Sequence, residues 1–148
     1  MAKSESSVLG LVGCGAQAVT QLHAISRVAH IDQVLYFDTD PEALLSFPKR
    51  CEMLGLSAHF SNVSVAEIVK SSDILSTATS IAIKEGPLFD HLDYNPHLHI
   101  NAVGSDFPGK VELPIDLLEN AFVCPDFKEQ AVIAVSYTHL TLPTIYSV

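Results

Sequence analysis

The stretch VLGLVGCGAQA, residues 8–18, decides the fold of this 148-residue chain. Its apolar, β-branched beginning stops at Gly13, and a G-x-G-x-x-A pattern leads from there into a helical pattern. A strand that turns into a helix through this pattern is typical of a dinucleotide-binding βαβ unit. In such a unit Gly13 permits the sharp turn out of the strand, Gly15 lets the backbone approach a pyrophosphate, and Ala18 lets the helix pack closely on the strand.

Asp38 indicates which dinucleotide the unit prefers. The run QVLYF reads as a second strand that ends at Asp38, about 20 residues beyond the glycines. A carboxylate there can accept hydrogen bonds from the ribose hydroxyls of NAD and would repel the extra phosphate of NADP, and no Arg or Lys follows within the next several residues. The alternative is a turn or cap residue before Asp40. We expect NAD as the cofactor.

Composition excludes several classes of function. With 48% hydrophobic residues and a formal charge of -9, the chain is an acidic globular domain that would repel nucleic acid and anionic membrane surfaces. The N-terminus is polar and no apolar run reaches the length of a membrane span. The three cysteines are scattered without a C-x-x-C pair, which favours a reducing compartment. We expect a cytoplasmic protein that binds neither nucleic acid nor membranes.

Strands and helices alternate along the chain. This alternation predicts an α/β fold with a doubly wound parallel sheet of the Rossmann type. Asp40 is the expected N-cap of the second helix, and Pro48 should kink or end that helix. The predicted strands cover residues 8–12, 33–37, 56–60, 73–77, 98–103 and 121–124, and the predicted helices cover 16–29, 41–54, 64–70, 114–120 and 127–134, with an irregular stretch over 81–96.

The last residues, 135–148, depart in pattern from everything before them. Residues 135–144 back-translate into a transposon-type sequencing adapter read in frame, so we interpret this tail as an artefact and assign the domain to residues 1–134. The alternative is a native β-strand, since Tyr, Thr, Leu and Val suit strands.

Four motifs, in order, resemble the ornithine cyclodeaminase/mu-crystallin family. They are GCGAQA at 13–18, DTDPEA at 38–43, DILSTATS at 73–80 and INAVGSDFPGK at 100–110, and the resemblance covers about residues 8–132. It implies that a substrate domain, which supplies the Arg and Lys side chains for the substrate carboxylate, precedes the Rossmann domain, and that a C-terminal segment returns to it. It also implies a homodimer for the complete protein and an internal start at Met1.

The resemblance further implies roles for individual residues. Asp106 corresponds to a catalytic acid/base, and Lys110 to a cofactor contact. Ala16 and Gln17 correspond to phosphate-loop contacts beyond Gly13 and Gly15, and Asp38 to the ribose anchor. The remaining cofactor positions follow the fourth and fifth strands and are Thr79, Ser80, Ile100, Asn101, Ala102 and Val103.

The reaction that the resemblance implies requires a group that moves protons. Ornithine cyclodeaminase transfers a hydride from the α-carbon of ornithine to NAD, the side-chain amine attacks the imine, ammonia leaves, and the returning hydride gives proline. Asp106 can accept and return the protons, although by itself its setting is also typical of a turn. The alternatives are an amino-acid dehydrogenase or imine (ketimine) reductase of the same family, and a non-catalytic NAD-binding protein like mu-crystallin.

Other candidate residues are weaker. His97 and His99 would alternate on one strand face near His91, but no Cys or carboxylate is spaced to complete a metal site. We therefore expect no metal. Cys14 has no neighbouring base in the sequence pattern, so we expect it to pack rather than react.

Overall fold

A computed structural model describes residues 2–3, 5–90 and 93–126 of the chain. The chain divides into two units. The first comprises Met1–Ser80 and Leu92–Val103, and the second comprises Ile81–His91 and Gly104–Val148. The elements in chain order are β1 Val8–Val12, α1 Ala16–Ser26, β2 Gln33–Phe37, α2 Pro41–Glu52, β3 His59–Asn62, α3 Val65–Ser71, β4 Ile74–Thr77, β5 His99–Ala102 and α4 Ile115–Glu119.

The first unit is built on a parallel sheet. Its strand order is β3-β2-β1-β4-β5, and every neighbouring pair is parallel. The order reverses between β1 and β4, which is the point where an open α/β sheet places its ligand. The α/β, Rossmann-type prediction is confirmed.

The core explains why the central strands are apolar on both faces. On one face of the sheet Leu9 and Leu11 of β1 and Val34 of β2 are fully buried against helices α1 and α2, and on the other face Leu75 of β4 and Ile68 of α3 are fully buried. Helices cover both faces of a parallel sheet, so its central strands read as continuous apolar runs rather than alternating ones. The tilted pair of Tyr36 and Phe47 rings, 5.2 Å apart, adds an aromatic contact to this core.

Helix α2 begins as predicted but does not end at Pro48. Asp40 is the N-cap, and its side chain accepts a hydrogen bond from Glu42 N–H. The helix continues through Pro48 to Glu52. Proline there lacks the N–H that would bond to the fourth residue before it, but Phe47 and Cys51 are both fully buried, so packing on either side maintains the helix.

Several other predicted boundaries are wrong. The third strand, predicted over 56–60, lies at His59–Asn62, because its pairing with β2 begins at Gln33 opposite His59. The first helix ends at Ser26 and the fifth strand covers only His99–Ala102. The predicted sixth strand is reduced to a single bridge at Val123. The helix predicted over 127–134 and the tail 135–148 lie outside the described residues.

The part of the chain that the structure describes contains no helix long and apolar enough to cross a membrane.

Candidate cofactor site and proton-transfer loop

The turn between β1 and α1 requires glycine at its first position. Gly13 has a φ of +94°, in the left-handed region, and its N–H donates to Phe37 O at 2.9 Å. A Cβ atom at Gly13 would lie 2.6 Å from Ala78 O, which belongs to the segment after β4. Both the backbone conformation and the close approach of β4 therefore exclude a side chain here. This turn lies where the strand order reverses.

The start of α1 is left open. Its N-cap, Gly15, offers no side-chain hydrogen bond, and the first turn carries no acidic residue. A Cβ built at Gly15 has no other atom within 4 Å, and Gly15, Ala16 and Gln17 are exposed. Packing within the protein therefore does not explain Gly15. Close approach of a ligand phosphate does, because exposed first-turn N–H groups and the helix dipole both favour an anion.

Asp38 follows β2 and binds the same turn. Its Oδ2 accepts from Cys14 N–H at 2.5 Å, and its Oδ1 accepts from Asp40 N–H at 2.9 Å. The bond to Asp40 N–H is a local turn bond, so Asp38 is also a turn residue, as the alternative interpretation expected. A carboxylate has about four lone-pair sites, so two such bonds leave acceptor capacity for ribose hydroxyls. The side chain is half-buried and remains reachable by a ligand.

Arg50 of α2 is a residue of this turn that the sequence did not reveal. Its Nη2 donates to Cys14 O and, at 3.2 Å, to Ala43 O, and its guanidinium lies 5.7 Å from the centre of the Phe47 ring. No local pattern signals this role, because Arg50 lies 36 residues from Cys14. The guanidinium binds backbone carbonyls of the turn and of its own helix.

The other predicted cofactor positions of the first unit follow β4 or belong to β5. Val103 N–H donates to Thr77 O at 2.9 Å, so the parallel pairing brings the carboxyl ends of β4 and β5 side by side. Along the same edge of the sheet lie the ends of β1 and β2, which carry Gly13 and Asp38. Thr79, Ile100 and Asn101 are half-buried, and Ser80, Ala102 and Val103 are exposed.

Cys14 is enclosed in the turn and is not a nucleophile. Its side chain is fully buried, and burial together with the nearby Asp38 carboxylate raises the pKa of its thiol to about 12. A thiol with this pKa is protonated at neutral pH. This agrees with the expectation that Cys14 packs.

The histidines do not form the arrangement expected from their spacing. His99 is the first residue of β5, whereas His97 lies in a turn before it, so the two do not share a strand face. His91 lies outside the described residues. Within residues 2–3, 5–90 and 93–126, no three His, Cys, Asp or Glu side chains are grouped to hold a metal ion.

Asp106 and Lys110 lie together in the second unit. Lys110 Nζ contacts Asp106 Oδ1 at 2.9 Å. The intervening residues form a turn in which Lys110 N–H donates to Phe107 O at 3.0 Å and Gly109 has a φ of +87°. Hydrogen bonding from Lys110 lowers the pKa of Asp106 below its usual value. The ion pair therefore favours the charged form of the Asp106 carboxylate and makes it a weaker base than an unpaired aspartate.

Glu112 was not singled out by the sequence. Its side chain is fully buried, and its Oε2 accepts from Gly104 N–H at 2.8 Å. A glutamate between Val111 and Leu113 carries no local signal of burial. Only the fold shows that its carboxylate binds Gly104, at the start of the loop that contains Asp106.

The residues of the first unit fit a dinucleotide. Gly15 lies where a Cβ would face open space, the helix start above it is uncapped, and Asp38 holds spare acceptors on the neighbouring strand. The uncapped helix start would bind the pyrophosphate and Asp38 the adenosine ribose.

Comparison with known proteins places these features in one family. The chain matches the ornithine cyclodeaminase/mu-crystallin family over residues 1–139. It is 40% identical to L-lysine cyclodeaminase of Streptomyces rapamycinicus over 131 residues, which are 88% of this chain and 38% of that protein. The chain thus spans about two fifths of the length of the curated relatives that it matches.

Solved structures agree. A lysine cyclodeaminase studied for recognition of L-lysine, L-ornithine and L-2,4-diaminobutyric acid superposes with a TM-score of 0.91 at 43% identity, over 99% of this chain and 42% of that one. An archaeal alanine dehydrogenase dimer with bound NAD superposes with a TM-score of 0.82 at 32% identity, over 99% of this chain and 46% of that one. The chain belongs to the ornithine cyclodeaminase/mu-crystallin family.

Proposed function

We propose that this chain is the NAD-binding domain, residues 1–134, of a longer NAD-dependent cyclodeaminase. The observation that carries the proposal is the turn between β1 and α1. Its Gly15 has no packing reason to be glycine, its helix start is uncapped, and Asp38 binds it from the adjacent strand. A solved relative that superposes on this chain holds NAD.

The proposed cofactor contacts are those expected from the motifs. Gly13 shapes the turn, the N–H groups near Gly15, Ala16 and Gln17 bind the pyrophosphate, and Asp38 binds the ribose. The remaining proposed contacts, which follow β4 or β5, are Thr79, Ser80, Ile100, Asn101, Ala102, Val103 and Lys110. The Asp38 carboxylate disfavours the 2′-phosphate of NADP, and the Arg50 guanidinium is engaged with carbonyl groups.

The proposed reaction is the cyclisation of a diamino acid, with L-ornithine giving L-proline and ammonia. Bound NAD would accept and return the hydride. Asp106, ionised beside Lys110, would accept a proton from the substrate ammonium group and return one to the departing amine. The likeness to a lysine cyclodeaminase that recognises both L-lysine and L-ornithine supports a diamino acid as the substrate.

The second candidate is an amino-acid dehydrogenase or an imine reductase. The likeness to an alanine dehydrogenase favours it, because the same domain then serves net oxidation or reduction. A non-catalytic NAD-binding protein is the third candidate, and the presence of Asp106 at the position of the catalytic acid/base speaks against it. For the complete protein we also propose a homodimer in the cytoplasm.

Product stoichiometry separates the candidates. The full-length protein is incubated with NAD and either L-ornithine, L-lysine or L-alanine, while ammonia and NADH are followed together. A cyclodeaminase releases ammonia with catalytic NAD and without accumulating NADH, since the hydride returns to the product. Accumulation of NADH equal to ammonia would identify a dehydrogenase, and neither product would indicate a binding protein and contradict the proposal.

A further inference from the structure

The segment between β5 and α4 closes on itself through Glu112. Residues 104–112 are called the Asp106 loop here. Oε2 of Glu112 accepts from Gly104 N–H at 2.8 Å, and Glu112 N–H donates to Ser105 Oγ at 3.3 Å. The last residue of the loop is therefore bound to the two residues that directly precede Asp106.

The backbone of Glu112 is fixed independently of its side chain. Leu88 N–H donates to Glu112 O at 2.9 Å, and Lys84 N–H donates to Gly109 O at 3.1 Å. Between these two bonds, Gly86 approaches Val111 so closely that a Cβ would lie 1.7 Å from Val111 O. The carboxylate of Glu112 thus extends from an anchored backbone to Gly104, and together with the bond from Glu112 N–H to Ser105 Oγ it ties the two ends of the loop to each other.

Burial argues for a specific role of this carboxylate. Glu112 is 0% exposed, whereas the side chain of Asp106 is 66% exposed. A buried carboxylate is unfavourable unless it is hydrogen-bonded, and an apolar side chain of similar size would fill the space without that desolvation cost. Packing alone does not explain a glutamate at this position, whereas its bond to Gly104 does.

We propose that Glu112 is a positioning residue for Asp106. The side chain of Glu112 is long enough for its carboxylate to bind Gly104 N–H, and this bond fixes the two ends of the loop that carries Asp106. This inference rests on the proposed function, in which Asp106 moves the protons. Small displacements of a reacting group are costly in catalysis, so loosening the two ends of the loop should reduce turnover more than cofactor affinity.

Three substitutions in the full-length protein distinguish the effect of the length of the Glu112 side chain from the effects of its charge and of its packing. Glu112→Gln keeps the length and an oxygen acceptor without the charge. Glu112→Asp keeps the charge but withdraws the carboxylate from Gly104 by one methylene, and Glu112→Leu keeps the volume without an acceptor. We expect Glu112→Gln to retain kcat within about threefold, and Glu112→Asp and Glu112→Leu to lower it about tenfold or more, with a smaller change in the Kd for NAD than in kcat, since Lys110 is a proposed cofactor contact on the same loop.

A double-substitution cycle tests whether Glu112 acts through Asp106. Residual turnover is measured for Asp106→Asn and for Asp106→Asn combined with Glu112→Asp. If Glu112 only positions Asp106, the second substitution adds no further loss. If Glu112→Leu fails to fold, the comparison of Glu112→Gln with Glu112→Asp and this cycle still test whether Glu112 positions Asp106.

Each result has one interpretation. A loss of turnover in Glu112→Gln with retained turnover in Glu112→Asp would show that the charge of the side chain matters rather than its length, and would overturn the inference. An equal loss of turnover on adding Glu112→Asp to the wild type and to Asp106→Asn would also overturn it. Wild-type turnover in Asp106→Asn would instead refute the proton-transfer role proposed for Asp106, on which the inference rests. The inference alone fails if Asp106→Asn is inactive while Glu112→Asp and Glu112→Leu turn over normally.

Discussion

Two loops of this chain follow parallel strands and are held by a carboxylate that accepts a backbone N–H. In the turn after β1, Asp38 binds Cys14 N–H from the neighbouring strand, and its side chain is half-buried. In the Asp106 loop, Glu112 binds Gly104 N–H from within the loop, and its side chain is fully buried. The first carboxylate keeps acceptor capacity toward a ligand, whereas the second is enclosed by protein.

This difference teaches how the two loops divide their tasks. The turn after β1 is shaped by the sheet, because Gly13 touches the segment after β4 and donates to the end of β2. Its exposed N–H groups suit a fixed anion such as a pyrophosphate. The Asp106 loop is held by its own Glu112 and by backbone bonds from Lys84 and Leu88, and it presents an exposed carboxylate that exchanges protons with the substrate in the proposed reaction.

The largest effect is expected from a pair of glycine substitutions in the turn. Gly13→Ala should destabilise the fold by about 2 kcal/mol or more, since it forces a side chain into the left-handed region and against Ala78 O. Gly15→Ala is the matched control, because its φ is -71° and nothing crowds its Cβ. The free energy of unfolding of Gly15→Ala should lie within about 1 kcal/mol of that of the wild type.

NAD titration of the same pair completes the comparison. Gly15→Ala should raise the Kd for NAD about tenfold or more while the fold survives, because its methyl group obstructs the pyrophosphate. Urea unfolding and calorimetric titration give the two quantities. Unchanged NAD affinity in a folded Gly15→Ala would place the cofactor elsewhere.

A smaller effect is expected at the carboxylate that serves both turn and ligand. Asp38→Ala removes the bonds to Cys14 and Asp40 and the ribose acceptor, and should raise the Kd for NAD about tenfold. Asp38→Asn is the control, since it keeps one acceptor oxygen and removes the charge that repels NADP. In Asp38→Asn the affinity for NADP relative to that for NAD should rise. An unaltered ratio would argue that Asp38 is only a turn residue.

Lys110→Met should produce a modest shift in titration. Hydrogen bonding from Lys110 lowers the Asp106 pKa, so its removal should raise that pKa toward the usual value for aspartate. The effect should be small, because the Asp106 side chain is largely exposed to solvent. Carboxyl-carbon NMR titration, with Asp106→Asn to assign the signal, measures it. The associated stabilisation is present above the usual pKa of aspartate and is lost as the pH falls through the lowered value. An unchanged pKa of Asp106 would show that the ion pair with Lys110 does not affect its titration.

The smallest effect concerns the thiols beside the turn. Burial raises the pKa of Cys14 to about 12 and that of Cys51 to about 11, and both side chains are fully buried. Neither should react with iodoacetamide at neutral pH, whereas the exposed Cys124 should. Peptide mass spectrometry compares the three sites, and the urea-unfolded protein serves as the control. Modification of Cys14 before Cys124 would mean that the turn opens.

The sequence predicted what local patterns encode. The strand-to-helix pattern around Gly13, the strand that ends at Asp38 and the cap at Asp40 all appear where expected. The start of β3 was misplaced because pairing with β2 sets the strand register, and Pro48 does not interrupt α2 because Phe47 and Cys51 are buried on either side of it. Arg50 and Glu112 were missed, since each acts on a backbone group that only the fold brings near.

The most direct test of the account is a pair of measurements on Asp106→Asn in the full-length protein. Calorimetric titration gives the Kd for NAD, and ammonia release from L-ornithine gives turnover. The account predicts wild-type affinity for NAD and a loss of turnover of about a hundredfold or more, since proton transfer by a positioned side chain contributes on that order. Wild-type turnover in Asp106→Asn, or a loss of NAD binding that matches the loss of turnover, would contradict the division of tasks between the two loops.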